Sequence, residues 1–257
     1  MNFDTVIYEK IEKIVYITLN RPEQRNALNH ALMDDLENAL QLAEKDGSAS
    51  VVVIKGNGPS FCSGYDLKGS YYITPPEGHE KWELRTSLTA LKDIERRYLR
   101  LLNFPKPTIA QIHGYCIAGG CYLQLLCDIS VAANDAKLGH PAQRFGGVSS
   151  MPLWQYVLGP KKARYLLMTG RLVDGVEAER IGLVSLSVAA EKLGEAVNEI
   201  AKEISEVPAD GLMLTKETLN MDLDMMGVGA LFRFHAQQNA FSRIIKGVTK
   251  EVFPEQS

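Results

Sequence analysis

Between Tyr8 and Leu19 the chain reads as two strands about a charged turn at Glu12-Lys13, and Asn20-Arg21-Pro22 closes the second strand. Leu32, Leu36, Leu40 and Ala43 then fall on one helical face, so residues 29–43 are expected as an amphipathic helix. Asn29 suits its N-cap and Gly47 its stop. Val51-Val52-Val53-Ile54 is apolar on both faces, as a parallel strand covered by helices requires. The rhythm repeats: Thr108–Ile112 alternates as a strand, 121–127 is apolar and unbroken enough for a buried helix, and Ile129–Ala132 forms the next strand. This order predicts an α/β protein with a parallel sheet, whose ligands bind at the carboxyl ends of the strands.

Residues 68–83 break the rhythm. Pro75-Pro76 and Gly78 exclude a helix there, and the stretch is expected as a lid ahead of a helix over 84–102. From Lys161 onward helical spacing dominates, at 162–167, 176–181, 191–206, 209–219 and 228–245. The expected organisation is a core over residues 1–190 and a helical region over 191–257.

At 257 residues the chain can bury a substantial core. Its longest apolar runs fall short of a membrane span, and its first five residues have neither the basic start nor the apolar stretch of a signal peptide. The expectation is a cytoplasmic protein that makes no membrane contact. With 28 basic and 31 acidic residues there is no strong overall field, and no Lys/Arg run interleaved with aromatics that would suggest nucleic acid. Cys62, Cys116, Cys121 and Cys127 lack C-x-x-C spacing and nearby paired histidines, so buried thiols are expected rather than a metal site.

Candidate chemistry gathers at two glycine-bearing turns, Cys62-Ser63-Gly64-Tyr65-Asp66 and Ile117-Ala118-Gly119-Gly120. Each follows a strand, so both can reach one pocket. The second opens a helix, whose first N–H groups lack partners within the helix and favour an anion.

These turns belong to an ordered series of motifs. Leu19-Asn20-Arg21-Pro22-Glu23-Gln24-Arg25-Asn26-Ala27-Leu28 comes first, then Phe61 to Leu67, Lys106-Pro107-Thr108-Ile109-Ala110, His113-Gly114-Tyr115 with Ala118-Gly119-Gly120-Cys121, and Cys127-Asp128-Ile129. Leu167-Met168-Thr169-Gly170-Arg171-Leu172 leads on to Ile181-Gly182-Leu183-Val184. Over roughly residues 3–245 the sequence resembles the crotonase superfamily, the enoyl-CoA hydratase/isomerase family. The resemblance implies an α/β fold, a spiral of repeated ββα units with a C-terminal helical trimerisation region, assembled as a homotrimer or homohexamer. It implies an acyl-CoA thioester substrate, coenzyme A arriving as part of that substrate, and no tightly bound cofactor or metal. It also implies that the backbone N–H groups of Tyr65 and Gly119 form an oxyanion hole, each such donor typically contributing about 100- to 1000-fold in rate. Arg25, Ala27, Leu28, Asp66 and Leu67 correspond to the family's adenine- and pantetheine-binding segments. Lys216 is a candidate phosphate contact, with a solvated lysine on an amphipathic helix as the alternative.

The resemblance fails at the catalytic carboxylates. Hydratases of the family carry one glutamate two residues after the last glycine of the turn, where this chain has Tyr122, and a second after the proline of Gly139-His140-Pro141, where it has Ala142. A phenol titrating near ~10 can donate a hydrogen bond but is a poor base at neutral pH. Two-glutamate hydration is therefore disfavoured. The openings left are hydration with substitute acids, isomerisation, decarboxylation, retro-Claisen C–C hydrolysis of an unusual acyl-CoA, a cyclic one included, or acyl-CoA binding without chemistry. Tyr122 is the expected side chain beside the reacting carbons. Ser149 and Ser150 stand where relatives carry a polar catalytic group, or else cap the next helix. His140 is expected to line the pocket or support it, His113 to pack beneath the turn, His235 to sit in the core or an interface, and Asp128 to be structural. Gln143 and Arg144 either reach the acyl chain or lie on a surface. Tyr71, Tyr72, Glu77, His79, Glu80 and Glu83 are the polar residues of the candidate lid.

Overall fold

The computed structural model describes residues 3–68, 83–145 and 147–246. Strands β1 (Val6–Ile11) and β2 (Ile14–Leu19) form the expected hairpin, paired antiparallel about Glu12 in a left-handed conformation (φ 53°). Helix α1 (His30–Lys45) starts where the Asn29 side chain accepts from the Leu32 N–H at 2.9 Å. It buries Leu32, Met33, Leu36, Ala39, Leu40 and Ala43, a stripe at helical spacing, and ends at Asp46, one residue before the expected glycine.

Strand β3 (Val51–Gly56) follows and pairs parallel with β2; its first four residues are wholly buried, so both faces are covered. Helix α2 (Leu84–Leu102) leads to β4 (Thr108–Ile112), and β5 (Tyr115–Ile117) precedes α3 (Gly119–Leu126). The helix expected at 121 thus begins two residues earlier, at the glycine pair itself. Strands β6 (Ile129–Ala133) and β7 (Lys137–Gly139) come next, then α4 (Leu153–Thr169). Only the second half of α4 was expected: Gly159 in a non-helical conformation, followed by Pro160, kinks it and breaks the periodicity. Strand β8 (Leu172–Val173), α5 (Gly175–Arg180) and β9 (Leu186–Val188) complete the α/β part.

The main sheet runs β1-β2-β3-β4-β6-β9, parallel throughout except for the opening hairpin. A second sheet, β5-β7-β8, carries the segments around the glycine turn. Three helices close the chain: α6 (Leu193–Glu206), α7 (Ala209–Met225) and α8 (Val228–Lys246). Helix α6 packs across β2, β3, β4 and β6 and is continuous with the core, whereas α8 lies along α2 and supports the site from behind. Among the described residues no helix is long and apolar enough to cross a membrane.

Candidate active site

Backbone hydrogen bonds lace three segments together at the carboxyl ends of β3 and β4. Cys62 N–H donates to Tyr115 C=O (2.9 Å), Ile117 N–H to Cys62 C=O (3.1 Å), Leu28 N–H to Gly64 C=O (2.7 Å), and Asp66 N–H to Leu28 C=O (2.9 Å). Gly64 has φ +93°, and a Cβ there would sit 2.9 Å from the Ala118 methyl and 3.3 Å from the Gly119 nitrogen. The two turns expected to share a pocket therefore touch. Gly120 is required for the same reason, since a Cβ there would lie 2.3 Å from the Cys62 carbonyl oxygen.

Ala118, the residue that enters α3, has φ 48° and ψ −118°, a conformation that L-residues adopt at a cost of about 1–3 kcal/mol. It brings the Gly119 nitrogen beside Gly64. The Tyr65 ring packs over the Gly119 α-carbon, within about 3 Å of where a Cβ would stand, and its hydroxyl is hydrogen-bonded to that of Tyr98 on α2.

The adenine and pantetheine candidates assemble beside these turns. Arg25 and Asn26 are both left-handed, and the Arg25 guanidinium lies over the Tyr115 ring, 5.5 Å from its centroid. Ala27 and Leu28 are buried, Leu67 is half exposed, and Leu28 bridges to Tyr65. Asp66 binds Arg21 at 2.9 Å, which ties the first motif to the second.

Lys216 lies apart from them, and its burial corrects the alternative of a solvated lysine. It is 6% exposed, and its ammonium donates to Asp128 Oδ2 (2.7 Å) and to the Lys106 carbonyl (3.1 Å). Asp128 also accepts from the N–H and hydroxyl of Thr108. Thr108 opens β4 and Asp128 immediately precedes β6, so this ion pair lies at the amino ends of the strands, opposite the glycine turns. The ammonium is paired with the partly exposed Asp128 carboxylate.

At the position of the missing glutamate, Tyr122 is buried in a polar network. Its hydroxyl lies 2.5 Å from His140 Nε2 and 2.9 Å from Ser149 Oγ, its ring stacks on the imidazole at 5.3 Å, and the Tyr98 ring meets it edge-on at 6.0 Å. His140 Nδ1 is hydrogen-bonded to Gln143 Oε1. Burial pushes the imidazole down to about 4, against the opposing pull of Gln143, so the ring is neutral at neutral pH. A neutral ring that gives its Nδ1 proton to Gln143 presents a lone pair at Nε2. Tyr122 O–H then donates to His140, Ser149 O–H donates to Tyr122, and Ser149 Oγ accepts from the Met151 N–H at 3.3 Å. The protons run one way, from Ser149 toward Gln143.

Helix α8 holds the loop that carries Ser149. His235 Nδ1–H donates to the Ser149 carbonyl (3.1 Å) and Asn239 to that of Val148 (2.5 Å). Ser149 caps no helix, since α4 starts beyond Pro152. His113 Nε2 meets the Gly58 carbonyl at 2.8 Å and braces the first turn, while Arg144 donates to the Thr169 carbonyl on α4. Tyr98 and the role of Gln143 were missed. Tyr98 falls on the same stripe of α2 as Leu91, Ile94 and Leu101, and nothing in the spacing separates it from ordinary core. Of the candidate lid, Tyr71, Tyr72, Glu77, His79 and Glu80 lie outside the described residues. Among the described residues no group of three ligating side chains could hold a metal.

The profile of the family described as Enoyl-CoA hydratase/isomerase matches residues 9–250. The chain belongs to the enoyl-CoA hydratase/isomerase family. It is 32% identical over 246 residues to a Rhizobium meliloti protein named "Probable enoyl-CoA hydratase", covering 94% of this chain and 91% of that one. To a crotonyl-CoA hydratase of Syntrophomonas wolfei it is 31% identical, with 86% and 83% covered. A crystal structure of an enoyl-CoA hydratase/isomerase from Xanthobacter autotrophicus Py2 superposes with a TM-score of 0.87 at 30% identity, covering 94% of this chain and 88% of that one. An enoyl-CoA hydratase from Mycobacterium smegmatis superposes with 0.86 at 29% identity, covering 95% and 86%. The fold is thus crotonase-like, and the chain is an enzyme of this family.

Proposed function

We propose that this enzyme forms an enolate on an acyl-CoA thioester by breaking a C–C bond at C2, with decarboxylation as the reaction its side chains suit best. The thioester oxygen sits between the Tyr65 and Gly119 N–H groups, and coenzyme A lies along the corner of Arg25, Ala27, Leu28, Asp66 and Leu67. The observation that carries the reading is the pair Tyr122 and Ala142, where a hydratase needs two carboxylates. Activating water or removing a C2 proton requires a base. A protonated phenol hydrogen-bonded to a neutral imidazole can give a proton but supplies no base at neutral pH.

Decarboxylation needs no base. The bond from C2 to its carboxylate breaks, the electron pair passes into the thioester, and carbon dioxide leaves. The oxyanion donors hold the enolate, and C2 then takes a proton from the Tyr122 phenol. Ser149 donates to the phenolate until solvent restores it.

Malonyl-CoA and methylmalonyl-CoA are expected to release carbon dioxide and leave the shortened thioester by mass spectrometry. Crotonyl-CoA should keep its conjugated-thioester absorbance. Tyr122→Phe should lower kcat about 100-fold with little change in KM. Hydration of 2-enoyl-CoAs at any chain length, or saturable CoA binding with no product, overturns the reading.

We also propose that the working form is a homotrimer or a dimer of trimers, supported by the exposed apolar side chains of α7, of which Met225 is 80% exposed.

A further inference from the structure

Tyr98 is 2% exposed on α2, and its hydroxyl is hydrogen-bonded to that of Tyr65. Tyr65 in turn reaches Gly119. A Cβ at Gly119 would stand 3.0 Å from Tyr65 Cε2 and 3.1 Å from Cζ, the ring carbon that carries the hydroxyl. The end of the ring that covers Gly119 is therefore the end that Tyr98 holds.

Tyr98 itself is well anchored. Arg97 and Arg100 tie α2 to α1 through Glu37, at 3.1 and 3.3 Å, and Arg97 also pairs with Asp34 at 2.6 Å. The Tyr98 ring meets the buried Tyr122 ring edge-on at 6.0 Å, a contact that survives removal of the Tyr98 hydroxyl alone. Gly119 is less secure, because it follows Ala118, whose φ of 48° persists only where surrounding contacts over-determine it. The Tyr65 ring supplies one of those contacts.

We propose that Tyr98 is a positioning residue: through the Tyr65 phenol it fixes the Gly119 backbone, and so sets the spacing of the Tyr65 and Gly119 N–H groups that receive the thioester oxygen. Such donors act only within hydrogen-bond reach of that oxygen, about 2.7–3.1 Å, so a small displacement is felt. The inference rests on the acyl-CoA reading above. It concerns bound geometry, so it does not depend on which bond breaks.

The test is difference infrared spectroscopy of acetyl-CoA carrying carbon-13 at its thioester carbonyl. It is bound to the native enzyme, Tyr98→Phe, Tyr65→Phe and the double variant. Two well-placed donors weaken the C=O bond, so the native enzyme should move the band to lower wavenumber than water does. Tyr98→Phe should lose most of that shift, while free coenzyme A binds within about twofold of the native value. Tyr65→Phe keeps its N–H but breaks the same bond, so it should lose as much, and the double variant no more than either alone. Leu91→Ala, which removes a buried side chain from the same helix, should lower the melting temperature and keep the shift.

A native-like band in either single variant, losses that add in the double variant, or an equal loss in Leu91→Ala overturns the role of Tyr98. Should Tyr98→Phe fail to fold, Tyr65→Phe carries the test. Acetyl-CoA that fails to bind the native enzyme, or binds with its band unmoved, overturns instead the oxyanion reading beneath it.

Discussion

His140 makes the proton order around Tyr122 sensitive to acid. Its folded value is held at about 4 by burial, whereas in the unfolded chain it titrates near ~6.5. Between those values the unfolded chain binds a proton that the native chain refuses, so stability rises with pH across the window. The contribution is fully present above about 6.5 and is lost as pH falls toward 4, amounting to roughly 3 kcal/mol. Burial also lowers His235, on α8, and adds to the same slope. Melting temperatures taken from about pH 7 down to about pH 4.5 should therefore fall more steeply for the native protein than for His140→Gln, whose amide oxygen still accepts from Tyr122. Parallel slopes in the two proteins would show that His140 is not the neutral acceptor described above.

At the scale of single elements, what could be read in advance followed local rules. The cap at Asn29, the double-sided burial of β3 and the glycines of the two turns each depend on the conformation of a few neighbouring residues, and those are written in the sequence. Ala118 shows where that ends. Nothing in its residue type announces a positive φ, which is imposed by the contact of its turn with Gly64. Tyr98 and Lys216 were hidden for a related reason: their partners are supplied by elements far away in the chain, Tyr65 and Tyr122 for the first and the start of β4 and β6 for the second.

Lys216 gives this a measurable form. Lys216→Ala would leave Asp128 with Thr108 alone in a half-buried site, at a cost of about 2 kcal/mol, less than a fully buried pair because the carboxylate is still partly solvated. The melting temperature should drop while the dissociation constant for coenzyme A stays within about twofold of the native value, a free-energy change of under ~0.5 kcal/mol. A large loss of coenzyme A affinity with unchanged stability would restore Lys216 as a phosphate contact.

For the whole molecule, the problem left by one chain is α7. This helix of 17 residues buries Lys216 alone among its side chains, while Leu214, Leu219, Met221 and Met225, and Met226 just after it, are all more than half exposed. Isolated helices of this length are marginal in water, and most helical stability comes from packing an apolar face. On α8, Phe234 and Phe241 are also about half exposed. Apolar surface of this extent supports the oligomer proposed above, since homo-oligomers cover such faces by rotational symmetry. Light scattering on the purified protein should give three or six times the 28.5 kDa chain mass. Leu219→Glu together with Met225→Glu should shift it toward the single chain and lower the melting temperature, because α7 then loses its cover. A native protein that scatters as a single chain at micromolar concentration would leave the apolar face of α7 without that partner and would sink the trimer.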